Sequence, residues 1–245
     1  MLQRMEKTLF IVTGASRGMG LAIARQLLSE GHRLLTLARH PNAALKGDAL
    51  EQDLEQWAVD LADPLPVAMR LQGWLSAQPP QPAVLINNAG VAPPPAGLAD
   101  SALPDMSNAL RVGLEAPLLL SAAFLRATAG WPTPRKVLNI SSGLGRRAMA
   151  GSAAYCATKA GMDHLSRALA LEGATVVSLA PGIIDTDMQL ALRSADPARF
   201  AEQPSFAALK SSGRLDSPEQ AAAKVIAFLQ RGDFGSRPVA DVRDA

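Results

Sequence analysis

The sequence predicts an α/β fold: a Rossmann-type doubly wound parallel sheet of about seven strands with helices on both faces, in a single domain over residues 1–245. Three observations predict it. Short unbroken apolar runs closed by turn residues recur along the chain, the pattern of strands buried on both faces. Segments with helical spacing alternate with those runs one for one. A glycine-rich turn, Thr13 to Gly20, falls between the first run and the first helix, where a βαβ unit places one.

The elements follow in order. Leu9 to Val12 is the first strand, and Gly18 to Glu30 is the helix that must cover it, with Leu21, Ala24, Leu27 and Leu28 at helical spacing and Gly31 as the stop. Arg33 to Ala38 is the second strand, and Trp57 to Val59 is a weaker third. A helix over Leu65 to Ala77 leads through the turn Gln78 to Pro82 into a strand at Ala83 to Asn87. A helix over Met106 to Ala127, the turn at Pro132 and Pro134, a strand at Lys136 to Ile140, a helix from Ser152 to Leu171 and a strand at Thr175 to Leu179 continue the alternation. Asp187 to Ser212 is less regular. Ser217-Pro218-Glu219 then starts a helix, with Ser as N-cap and Pro in the first turn, and a last strand is expected near Arg237 to Val242. Repeats and charged linkers are missing, which favours one domain.

Composition narrows the function classes. Of 245 residues 48% are apolar, enough for a large core and too many for a disordered chain. Lys plus Arg is 24 against 22 Asp plus Glu, so no net field directs the protein to nucleic acid or membrane. The run Leu114 to Leu125 is interrupted by Glu115 and Pro117 and falls short of the roughly 20 residues of a bilayer crossing. Cys156 is the sole cysteine, which fits a reducing compartment, and the expectation is a cytoplasmic protein. His32, His40 and His164 have no ligand spacing, so no metal is expected.

The chemistry begins at Thr13 to Gly20. Gly14, Ser16, Arg17, Gly18, Met19 and Gly20 lie where backbone N–H groups and a helix N-terminus can cradle a pyrophosphate, although the spacing is not G-x-G-x-x-G. The second strand ends in Ala38-Arg39, without the acidic residue that would accept the 2′-hydroxyl of NAD. Arg39 and Arg17 offer planar forks to a 2′-phosphate, so NADP(H) is the expected cofactor; the other reading is two solvated arginines. Tyr155 and Lys159 are four apart on a helix and share a face, so the lysine charge should lower the phenol's pKa and make Tyr155 a proton donor or acceptor. Ser141-Ser142 ends the preceding strand, with Ser142 thirteen residues before Tyr155.

Taken in order, TGASRGMG, NNAG at 87–90, ISS at 140–142, YCATK at 155–159 and PGIIDT at 181–186 resemble the short-chain dehydrogenase/reductase family. Within it the tail, through PGIIDTDMQ at 181–189, Phe206 to Lys210 and Asp241 to Asp244, is similar to the sepiapterin reductases and bacterial benzil reductases. The resemblance implies that Tyr155 protonates a carbonyl oxygen as hydride arrives, that Ser142 orients that oxygen, and that Lys159 holds the nicotinamide ribose. It implies an adenine contact at Asp60 and Leu61, a ribose wall at Asn87, Ala89 and Gly90, and a carboxamide loop with Pro181, Gly182, Ile184 and Thr186. Strand-end caps and plain turns are the alternatives at these positions.

Leu144, Met188 and Asp241 are candidate substrate contacts, and residues 187–212 a candidate lid, core packing and a solvated carboxylate being the alternatives. The expected partners are a small carbonyl substrate and a second copy of the chain, as homodimer or homotetramer through the Ala109 to Ala127 and Ser152 to Leu171 helices. One departure stands out. The family usually has Asn where this chain has Gly113, and there a main-chain carbonyl holds a water linked to the lysine; glycine keeps the carbonyl but loosens the helix by about 1 kcal/mol. That departure leaves a second reading open, an NADP(H)-binding sensor or scaffold with little turnover.

Overall fold

The computed structural model describes residues 7–47 and 53–244. In β1 (Leu9–Thr13) every residue is buried, as the unbroken apolar run requires. Its pleat sends Phe10 and Val12 to one face and Leu9 and Ile11 to the other. α1 (Gly18–Ser29) covers the first face with Ile23, Ala24 and Leu27 and stops at Gly31, whose φ of +82° is left-handed. β2 (Arg33–Ala38) pairs parallel with β1.

A short helix α2 (Ala44–Gly47) precedes β3 (Leu54–Ala58), which pairs outside β2. β3 starts before the expected Trp57 because its partner strand, rather than its own apolar content, sets its length: Leu34 aligns with Leu54. α3 (Pro64–Ser76) carries the chain back to β4 (Ala83–Asn87), which pairs on the far side of β1.

The helix expected over Met106 to Ala127 is three pieces: α4 (Leu103–Leu110), a π-helical turn Arg111–Glu115 and α5 (Ala116–Ala127). Together they run 25 residues and are apolar enough, by length and composition, to cross a membrane. The apolarity has a different origin. Val112, Ala116, Leu120 and Phe124 are buried in the core beneath the sheet, against α3.

β5 (Arg135–Ile140), α6 (Ala153–Leu171) and β6 (Val176–Ala180) follow as expected. The irregular stretch contains α7 (Asp187–Arg193) and α8 (Gln203–Ser211), and α9 (Pro218–Leu229) begins with the capping box of Ser217 and Gln220. β7 (Val239–Asp241) closes the edge. Among the described residues the sheet order is β3-β2-β1-β4-β5-β6-β7, all parallel, with α1 and α9 packed on each other on one face and α3, α5 and α6 on the other. The connections reverse direction between β1 and β4, which opens a crevice at the carboxyl ends of those strands.

Candidate active site

At the crevice, Gly14 and Gly18 have φ of +70° and +56°, a region L side chains rarely adopt. Gly20 is required by space: a Cβ there would stand 2.3 Å from the Gly14 carbonyl oxygen. Asn88 clamps the turn to the end of β4, its Nδ2 donating to Thr13 O at 2.9 Å and Gly14 O at 3.3 Å, while Thr13 Oγ1 accepts from the N–H of Asn88 and of Ala89, each at 2.9 Å. Among the described residues no side chain caps the N-terminus of α1. Its free N–H groups and positive dipole end therefore face the cleft, and a Cβ-free cradle of this kind suits a pyrophosphate.

Arg39 is exposed on the cleft wall and makes no hydrogen bond or ion pair among the described residues. Arg17 does: its guanidinium lies 2.6 Å from Asp187 at the start of α7, with both side chains 72% exposed. An exposed pair contributes about 1 kcal/mol or less, so Arg17 exchanges partners readily. Asp60 and Leu61 line the same wall, the Asp60 carboxylate accepting the Ala62 N–H at 2.9 Å. Asn87 does not line it. Strand parity turns its side chain into the core, where Nδ2 donates to Asn139 Oδ1 at 2.8 Å and to Ser121 Oγ at 3.2 Å; Asn88, Ala89 and Gly90 form the wall instead.

The reacting groups sit at the ends of β5 and α6. Ser142 faces the cleft, and its hydroxyl oxygen accepts the Leu144 N–H at 3.2 Å. Tyr155 and Lys159 project into the cleft from one face of α6, the ammonium 5.6 Å from the phenol ring centre. Lys159 is 3% exposed, and its Nζ donates to Ile140 O at 2.7 Å. Burial pushes Lys159 down to about 8, against the pull of Asp163.

Tyr155 corrects the sequence expectation. Desolvation pushes its phenol up to about 12, and the Ser142 hydroxyl only partly opposes that rise. Lys159, its ammonium 5.6 Å from the ring centre, is not among the groups that offset the rise. The phenol is therefore protonated at neutral pH, the form a proton donor needs.

Pro181, Gly182, Ile184 and Thr186 close the far wall, and Thr186 caps α7 by accepting the Gln189 N–H. Leu144 and Met188 stand with Leu192, Phe206 and Leu209 around the outer part of the cleft, whose volume is ≈ 1490 Å³. Asp241 also lines it, but its carboxylate is already bound by Arg243 at 2.6 Å and Arg146 at 3.5 Å, and Arg243 above all holds it below the usual carboxylate range. Phe200 is buried against Gly151 and tilts over Phe206 at 5.8 Å, which pins the α7–α8 segment to the body. Gln189 has no such explanation: it is 4% exposed, and both atoms of its amide are buried without a partner among the described residues.

Asn88, Arg146, Arg147 and Gln189 line the cleft without having been singled out in the sequence. Asn88 was legible as the neighbour of Asn87 in the NNAG motif and Gln189 as the end of PGIIDTDMQ; Arg146 and Arg147 carry no local signal.

The family model described as short chain dehydrogenase matches residues 8–197. The benzil reductase ((S)-benzoin forming) of Bacillus subtilis (strain 168) is 31% identical over 245 residues, covering 96% of this chain and 98% of its own. The sepiapterin reductase of Rattus norvegicus is 34% identical over 259 residues, covering 96% and 95%. A solved metagenomic short-chain oxidoreductase in complex with NADP superposes with a TM-score of 0.70 at 28% identity, over 96% of this chain and 94% of that one.

Proposed function

This chain belongs to the short-chain dehydrogenase family of oxidoreductases, and from that premise we propose that it is an NADPH-dependent reductase converting a ketone, diketone or pterin side-chain carbonyl to an alcohol. The observation that carries the reading is the common cleft: Ser142, Tyr155 and Lys159 line it together with an uncapped, glycine-lined helix N-terminus. The cofactor supplies hydride when bound. Tyr155, protonated at neutral pH, gives its proton to the carbonyl oxygen, Ser142 orients that oxygen, and the Lys159 cation stabilises the phenolate left behind. Leu144, Met188 and the α7–α8 segment would cover the substrate, with the pterin-containing and aromatic diketone classes suggested by the two curated relatives.

The test is NADPH oxidation against a panel of diketones, quinones and pterins, with NADH in parallel. Turnover with NADPH supports the reading. Saturable NADPH binding with no turnover on any carbonyl sinks it and moves the function to a nucleotide-dependent sensor. We place the protein in the cytoplasm, and we read it as a homodimer or homotetramer, an association supported by the exposed Leu103, Leu110 and Leu118 on α4 and α5 and by Leu171, 91% exposed, on α6.

Two smaller expectations follow from cleft residues. Arg39→Ala removes the unpartnered guanidinium assigned to the 2′-phosphate; charge-assisted hydrogen bonds of roughly 1.5–3 kcal/mol correspond to about a 10- to 100-fold rise in the KM for NADPH. The KM for NADH should hold steady, and equal effects on both would remove Arg39 from cofactor selection. Gln189→Met replaces an amide that is buried unsatisfied at about 1–3 kcal/mol per atom. The ligand-free protein should melt a few degrees higher while the KM for the carbonyl substrate rises; a lower Tm would mean the amide is structural.

A further inference from the structure

Among the described residues the Asp163 side chain makes no hydrogen bond or ion pair to the reacting groups, yet it is 1% exposed and lies one helical turn beyond Lys159 on α6. Its Oδ1 accepts from Ser141 Oγ at 2.6 Å and from Ser178 Oγ at 2.7 Å, joining the end of β5 and the middle of β6 to the helix. Its Oδ2 is buried without a partner among the described residues. The turn that follows Ser142 lies directly upon it, since a Cβ on Gly145 would stand 2.9 Å from Oδ2 and 2.9 Å from Lys159 O. Two α6 residues thus hold consecutive residues of one strand end: Lys159 bonds the Ile140 carbonyl and Asp163 the Ser141 hydroxyl. Ser142 is the next residue.

We propose that Asp163 is a positioning residue for this reaction, fixing the strand end that presents Ser142 and placing negative charge beside Lys159. Neither Asp163 nor Lys159 makes an ion pair among the described residues, so the charge acts across one turn of helix rather than through contact. The other groups packed about Lys159 are Tyr155 on α6, the neutral Ile140 carbonyl of β5 and Gly90 after β4. Farther out, Arg146 of the turn after β5 is committed to Asp241 of β7, and Arg147 of the same turn is exposed. Asp163 is therefore the charge that opposes the desolvation of the buried ammonium.

The test is the pH profile of kcat/KM for NADPH-dependent reduction by wild type, Asp163→Asn and Ser141→Ala. The cation is the active form, so the wild-type rate should fall through about pH 8 as Lys159 loses its proton. Asn keeps an oxygen for both serines but no charge; the ammonium then gives up its proton more easily, and the alkaline limb should move to lower pH by about half a unit or more. Ser141→Ala keeps the charge and frees the strand end, so kcat should drop roughly three- to tenfold with the limb and the KM for NADPH unmoved. An Asp163→Asn limb that coincides with wild type, or full kcat in Ser141→Ala, overturns the proposal. Should Asp163→Asn fail to fold, Ser141→Ala decides alone, lost kcat supporting and full kcat overturning it. The proposal rests on the reductase reading, and wild type in the same assay separates the two failures: an inactive wild type sinks the reading and this inference with it, whereas an active one leaves only the inference at stake.

Discussion

Tyr155→Phe should lose at least about a hundredfold in kcat while binding NADPH within a small factor of wild type. General acid catalysis contributes roughly 10²- to 10⁴-fold, about 2.7–5.5 kcal/mol of barrier. The substitution removes one oxygen and leaves the ring, so the packing of α6 is kept. Lys159 keeps its place too, because its ammonium is anchored to the Ile140 carbonyl at 2.7 Å rather than to the phenol. That anchor is why binding and chemistry should separate here. Desolvation pushes the phenol up, so wild-type Tyr155 holds its proton at neutral pH and has one to give. Steady-state NADPH oxidation and a fluorescence titration with NADPH check both halves. Residual kcat within about tenfold of wild type would assign the proton to another donor, either the Ser142 hydroxyl or water.

The elements that were legible are those whose signal is local. β2 and β4 have the bounds their apolar runs suggest, because a strand buried on both faces is apolar at most of its positions. The α9 start was legible because its signal is local, Ser217 as N-cap with Pro218 in the first turn, and the structure adds the reciprocal bond of Gln220. α7 and α8 were not, being short and fixed by tertiary contacts such as Phe200 in its socket beside Gly151. The site divides the same way. The glycine turn, Ser142, Tyr155 and Lys159 follow from motif order, whereas the inward turn of Asn87 depends on strand parity and on Asn139, its register partner across β4 and β5. Two further features depend on the whole fold: the upward shift of Tyr155 comes from the cleft walls around it, and Arg17 meets Asp187 from 170 residues away.

Gly113 is the departure that the structure explains most directly, and reversing it should be costly. It lies in the π-helical turn, where a Cβ would stand 2.4 Å from Thr158 Cγ2. Thr158 cannot simply rotate away: its Oγ1 donates to the Ala154 carbonyl at 2.7 Å, which leaves the methyl pointing at Gly113, and the residue is 1% exposed. The methyl therefore occupies the space a side chain at 113 would need. Gly113→Asn, which restores the residue usual in the family, should destabilise by roughly 3 kcal/mol through overpacking and lower Tm by roughly 6–12 °C. Because Thr158 sits between Tyr155 and Lys159 on α6, the displacement should reach the reacting groups and lower kcat as well. Thr158→Ser removes the clashing methyl and keeps the hydroxyl bond to Ala154, so Gly113→Asn/Thr158→Ser should recover most of both losses. The double-mutant cycle should give a coupling of about 1–3 kcal/mol. Additive effects would instead mean that glycine is needed for the backbone of the π turn itself, and that Asn is excluded there whatever faces it.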